Sequence, residues 1–187
     1  MHTKQKGSIL RSFIIVPMLA SSISMNTLTS SVAEALRDHA STPIVLSEEE
    51  QALTLEREEK AAKIDTYYGK YNLPLAGDGM TMVLAGEKYG IDPYLIAGIA
   101  MRESTGGKFA CGNNPFGWGS CKIKFESFEH AIDVVAMNLG GHNEKTARYY
   151  KGKSTKAILD TYNPPSVVAT YSSEVMGIMK KIDATTV

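Results

Sequence analysis

The stretch Tyr89-Gly-Ile-Asp-Pro-Tyr-Leu-Ile-Ala-Gly-Ile-Ala-Met-Arg-Glu-Ser104 holds both a helix and a candidate reactive group. Gly90 closes one helix, Asp92 supplies an N-cap and Pro93 takes the first helical position, where its missing N–H costs nothing. A helix over 93–104 follows. At roughly 100° per residue, Ile96, Ile99 and Glu103 fall within about 60° of one another, and Arg102 points away from that stripe. Glu103 is thus expected at the C-terminal end of an apolar helix face. Desolvation there, together with the negative end of the helix dipole, would favour the protonated carboxyl. That is the state needed for general-acid cleavage of a glycosidic bond. The plainer alternative is a carboxylate that pairs with Arg102 or a lysine, or caps a loop.

The segment that follows adds to the chemistry. Cys111-Gly-Asn-Asn-Pro-Phe-Gly-Trp-Gly-Ser-Cys121 sets the chain's single tryptophan, a phenylalanine and two asparagines in a glycine-rich loop shortly after Glu103. Sugar rings present apolar C–H faces edged by hydroxyls and amides, so Trp118 and Phe116 are candidates to stack on them, with Asn113 and Asn114 at the polar edge. Each has a structural alternative: Phe116 and Trp118 as core, an asparagine as the holder of a turn. Residues 105–126 are expected to form an irregular lobe, with Lys122-Ile-Lys-Phe125 alternating like one short strand.

Working outward, Ser47-Glu-Glu-Glu50 has capping-box spacing and opens a helix over about 47–69, whose thin apolar stripe implies a solvated first half. Self-association through this helix is an open alternative. Asp78 is placed to cap a helix ending at Tyr89. Ser127 starts an amphipathic helix ending at Gly140-Gly141, and Ser154 to Tyr162 fits a shorter one broken by Asn163-Pro-Pro165. A last helix carries Val168, Tyr171, Val175, Ile178, Met179 and Ile182 on one face. The expected class is α+β and mostly helical, with a small irregular or β-like lobe and a long N-terminal helix.

Near the start, Lys4, Lys6 and Arg11 precede the apolar run 13–20, and small residues follow up to Ala35. This reads as an export signal over 1–35. The apolar run is too short to span a bilayer, since eight helical residues cover about 12 Å of a core about 30 Å thick. The expected organisation is then a polar linker and helical stalk over 36–63 and a catalytic domain over 64–187, outside the cytoplasm. The whole chain has 20 basic and 20 acidic side chains, and residues 36–187 keep 17 and 19. That balance argues against a nucleic-acid partner, which would need a basic surplus. Two cysteines, four scattered histidines and no HExxH spacing give no metal site, and no cofactor is called for. In an exported chain Cys111 and Cys121 are expected to form a disulfide, worth about 2.7 kcal/mol for a loop of roughly ten residues.

The run 89–104, the element Asn114-Pro-Phe-Gly117, and Phe125-x-Ser-Phe-x-x-Ala-Ile132 followed by Tyr162 and Tyr171 together resemble the lysozyme-like superfamily over about residues 64–184. The likeness is to bacterial lytic transglycosylases, with a Glu-Ser pair ending a helix, and to glucosaminidase-type autolysins, with an Asn-x-Phe-Gly element. The resemblance implies cleavage of the β-1,4 glycan of peptidoglycan with Glu103 as general acid. Lysozyme itself is the familiar case for such a carboxyl. It also implies Ser104, Asn113, Asn114, Phe116 and Trp118 as substrate contacts, and Tyr162 in the cleft, stabilising the reacting sugar or orienting Glu103. A hydrolase would need a second carboxylate, for which Glu126 is the first candidate, ahead of Glu129 and Asp160. A transglycosylase needs only Glu103, acting as acid and then base. The rival class is a non-catalytic peptidoglycan-binding or morphogenetic module that keeps the cleft without turnover.

Overall fold

A computed structural model describes residues 47–187, and the export segment read over 1–35 and residues 36–46 of the linker and stalk lie outside them. The described residues form one compact unit and are mostly helical. Seven α-helices occur among them: α1 Glu48–Gly69, α2 Gly79–Tyr89, α3 Pro93–Ser104, α4 Phe128–Leu139, α5 Ala147–Tyr150, α6 Thr155–Tyr162 and α7 Tyr171–Asp183.

Helix α1 begins with the reciprocal capping box of Ser47 and Glu50. Its first half is exposed, and it buries only Ala61, Ile64 and Tyr68 near its C-terminal end. The helix runs unbroken from residue 48 to 69, as the sequence pattern over about 47–69 predicts. The Tyr68 hydroxyl donates to the Ala97 carbonyl at 2.7 Å, tying α1 to the centre of the molecule.

Helix α3 is that centre. Tyr94 through Ala100 are all buried, as expected of a helix apolar on every side. Its start is fixed by Pro93 and by Asp92, whose side chain accepts from Tyr94 N at 2.8 Å. Gly98 lets α7 approach, since a Cβ there would meet Val175 and Met179 side-chain carbons at 3.0 Å. At the end of this contact the last turn of α3 meets the first turn of α7 through Glu103 and Tyr171.

Three expectations are corrected. No strand forms among the described residues: Lys122–Phe125 runs as irregular chain after the distorted helical turn Trp118–Cys121. Alternation alone does not make a strand when the chain offers no second strand to pair with. Val168 lies before α7 rather than on it. Asp78 precedes α2 but makes no side-chain cap bond; Asp65 Oδ1 instead accepts from Gly77 N at 2.8 Å and Gly79 N at 2.9 Å. Helix α5 is a one-turn element that the sequence pattern did not signal.

Candidate active-site cleft

Glu103, Gly117, Trp118, Gly119, Ser120, Tyr162, Asn163 and the Phe116 backbone segment line an open cleft of about 470 Å³. Three parts of the fold meet there: the last turn of α3, the loop closed by Cys111 and Cys121, and the end of α6. The disulfide forms and encloses all of the loop's lining residues, 116–120. Within that loop Gly112, Gly117 and Gly119 have φ near +60°, and Ser120 and Cys121 share this left-handed region at 54° and 62°. Such backbone is costly for residues with a Cβ, so a covalent closure suits this segment.

Glu103 is exposed on the cleft rather than desolvated, which corrects the expectation of a buried carboxyl. The reason is its place in the last turn of α3, past the enclosed Ile96 and Ile99. Its Oε1 accepts the Tyr171 hydroxyl at 2.6 Å. A Cβ on Gly117 would stand 3.7 Å from Oε2, so the loop passes that oxygen at a glycine. Arg102 does not pair with it: the guanidinium Nε donates to Glu174 Oε2 at 2.5 Å.

Aromatic rings stand beside the carboxylate. Tyr171 is buried at 1% exposure and stacks on Tyr162, with ring centroids 5.9 Å apart and planes 15° apart. Tyr162 in turn leans on half-buried Trp118 at 5.8 Å. The Tyr162 hydroxyl donates to the Phe116 carbonyl, joining α6 to the loop. Burial, followed by the bond to Glu103, pushes the Tyr171 phenol far above its ordinary value. Burial, followed by the charge of Glu103, does the same to Tyr162. Both phenols therefore remain hydrogen-bond donors at neutral pH.

Other candidate residues are spent inside the fold. Phe116 is 1% exposed and belongs to the core, so its ring cannot stack on a ligand. Asn114 is buried: Nδ2 donates to the Trp118 and Ile123 carbonyls at 2.9 and 3.3 Å, and Oδ1 accepts from Trp118 N at 3.0 Å. Asn113 Nδ2 donates to the Phe125 and Glu126 carbonyls at 3.2 and 2.8 Å. Ser104 is buried, donating to Ala100 O at 3.1 Å and accepting from Gly107 N at 3.0 Å. These four shape the loop and its junction with α3. The amide chemistry expected of Asn113 and Asn114 holds the cleft wall rather than facing its interior.

The second-carboxylate candidates stand apart from the lining. Glu126 is exposed, with its backbone N–H on His130 Nδ1. Glu129 is exposed, and the Ser127 hydroxyl lowers its carboxyl below the ordinary range. Asp160 accepts from Lys156 at 2.7 Å and also from Ser172. Among the described residues lining the cleft, Glu103 is the one carboxylate.

Sequence reasoning placed Tyr171 in the core and missed its second role. The signal was an apolar-stripe position at the very start of a helix, where a hydroxyl can reach past the core edge. Asn163 was also missed as a lining residue; its Oδ1 is buried and has no hydrogen-bond partner. Among the described residues, no group of three or more His, Cys, Asp or Glu is gathered as a metal would require. No helix among them is long and apolar enough to cross a membrane. Comparison with protein-family models, with curated proteins and with solved structures finds no match to the chain.

Proposed function

We propose that this chain is a lysozyme-like glycosidase that acts outside the cytoplasm on the β-1,4 glycan of peptidoglycan, with Glu103 as its acid and then its base. One observation carries the reading: a carboxylate at the end of a buried helix opens onto an aromatic-walled cleft, with one oxygen held by Tyr171 and the other beside Gly117. The cleft volume of about 470 Å³ lies in the range of ligand sites, about 300–1,000 Å³.

Tyr171 donates to Oε1, so the acid's proton resides on Oε2. From there it passes to the glycosidic oxygen as the C1–O bond breaks, leaving positive charge on the sugar ring. The Glu103 carboxylate then removes a proton from the substrate's own C6 hydroxyl, whose oxygen closes on C1. Glu103 ends protonated again, an anhydro sugar and a new sugar hydroxyl are formed, and no water is consumed. Trp118 offers the apolar wall for a sugar face. The absence of another carboxylate from the described lining supports this single-carboxyl sequence over a hydrolase using Glu126, because either hydrolytic geometry needs two facing acids.

The test is incubation of the purified protein with peptidoglycan sacculi and mass analysis of the products, with Glu103→Gln in parallel. Anhydro ends that vanish in the variant support the proposal, and reducing ends assign hydrolysis instead. Retained sacculus binding with no soluble product from the unaltered protein would leave a binding module.

A further inference from the structure

Arg102 and Glu103 are adjacent in the last turn of α3; their side chains leave the helix in different directions, but a guanidinium is long enough to turn back onto a neighbouring carboxyl. A nearby cation favours the carboxylate and opposes proton retention. In the structure Arg102 has another partner, 72 positions away in the chain. Glu174 Oε2 takes Arg102 Nε at 2.5 Å, and Glu174 Oε1 accepts the Thr170 hydroxyl at 2.6 Å. Residues 171 and 174 are one turn apart on α7, so one helix face presents Tyr171 to Glu103 and Glu174 to Arg102. The Arg102 guanidinium carbon lies 5.8 Å from the Tyr171 ring centroid.

From this arrangement we infer that Glu174 is a positioning residue: it draws Arg102 away from Glu103, so that Tyr171, not a guanidinium, is the partner of the reactive carboxyl. The inference rests on the acid role given to Glu103. The charged and titratable groups around that carboxyl are Arg102 on its own helix, Tyr171 and Glu174 on α7, and Tyr162 on α6, with only uncharged side chains from the loop 116–120. Among these, Arg102 is the one cation. Both members of the pair are partly exposed, at 38% and 41% for their side chains, so little stability is at stake. What changes on losing Glu174 is where Arg102 points.

The discriminating experiment is a two-variant cycle in the full chain. In Glu174→Gln, Arg102 is released toward Glu103. Turnover on sacculi is expected to fall about tenfold with little change in the sacculus concentration needed for half-maximal rate. The alkaline limb of the pH profile is expected to move down by about one pH unit. Adding Arg102→Gln removes the released cation, and the double variant should regain most of the turnover and the original limb. If the pair were only a clamp between helices, the double variant would be no better than the single one, and that outcome overturns the inference. So does a Glu174→Gln protein with the unaltered pH profile. If no form cleaves sacculi, the glycosidase reading fails by itself. Carbon-13 titration of the Glu103 side chain then decides the inference: a midpoint lowered in Glu174→Gln and restored in the double variant upholds it, and identical midpoints refute it.

Discussion

Replacing Tyr171 by Phe removes one oxygen and keeps the ring that stacks on Tyr162 at 5.9 Å, so the change isolates the 2.6 Å bond to Glu103 Oε1. The residue is 1% exposed, and Phe fills the same space, so the packing cost is small. A hydrogen bond to a charged group is worth about 1.5–3 kcal/mol, and one to a neutral group about 0.5–1.5. The bond thus stabilises the Glu103 carboxylate formed when the proton leaves in the first step by about 1.5–3 kcal/mol. Removing it lowers turnover about tenfold to a hundredfold, because Oε1 and Oε2 are no longer distinguished and that carboxylate is less well stabilised. The assay is the initial rate of sacculus solubilisation across pH 4–9, with the melting temperature as a control for folding. A folded Tyr171→Phe protein with normal turnover would refute the role assigned to this hydroxyl.

Trp118→Ala should weaken sacculus binding by about tenfold, read by co-sedimentation, since an aromatic platform contributes on the order of 1–2 kcal/mol in such contacts. Cys111→Ser with Cys121→Ser should lower unfolding stability by about 2–3 kcal/mol in denaturant titration. Cleavage should suffer more than the helical signal, because residues 116–120 of the cleft wall lie inside the closed loop. Asp78 provides a pH test of the fold: burial first, then the charges of Glu129 and Asp65, raises its carboxyl from 3.8 to about 6. A raised native value means its contribution is full below about pH 4 and is lost as pH rises through 6. Since the side chain is half-buried and makes no cap bond, Asp78→Asn should stabilise the protein by about 1 kcal/mol at pH 7 after allowance for screening, and not at pH 4.

Helices were legible where a local signal set both ends. Pro93 with Asp92, Ser127 with its N–H partner at His130, and the Ser47 capping box all stand where side-chain chemistry placed them. The failures share one physical cause, which is dependence on partners distant in the chain. Lys122–Phe125 has the alternation of a strand but no neighbour to complete a ladder. Asp78 had the right residue type for a cap, yet Asp65, from the preceding helix, reached the amides first. In the cleft, Glu103 and Trp118 were readable because each is a conspicuous residue beside a glycine-rich turn. For Phe116 and Asn114 the sequence left sugar contact and a structural duty both open, because burial is decided by what packs over a residue. The Arg102–Glu174 and Glu103–Tyr171 pairs span 72 and 68 positions, and neither leaves a local pattern.

The proposed cleavage depends on Glu103, and the most direct measurement is the mass spectrum of sacculus digests made by the unaltered protein and by Glu103→Gln. Anhydro-ended glycan fragments from the unaltered protein, reduced at least a thousandfold in the folded variant, are the predicted result. Equal fragment release by the two proteins would contradict the assignment of Glu103 as the acid.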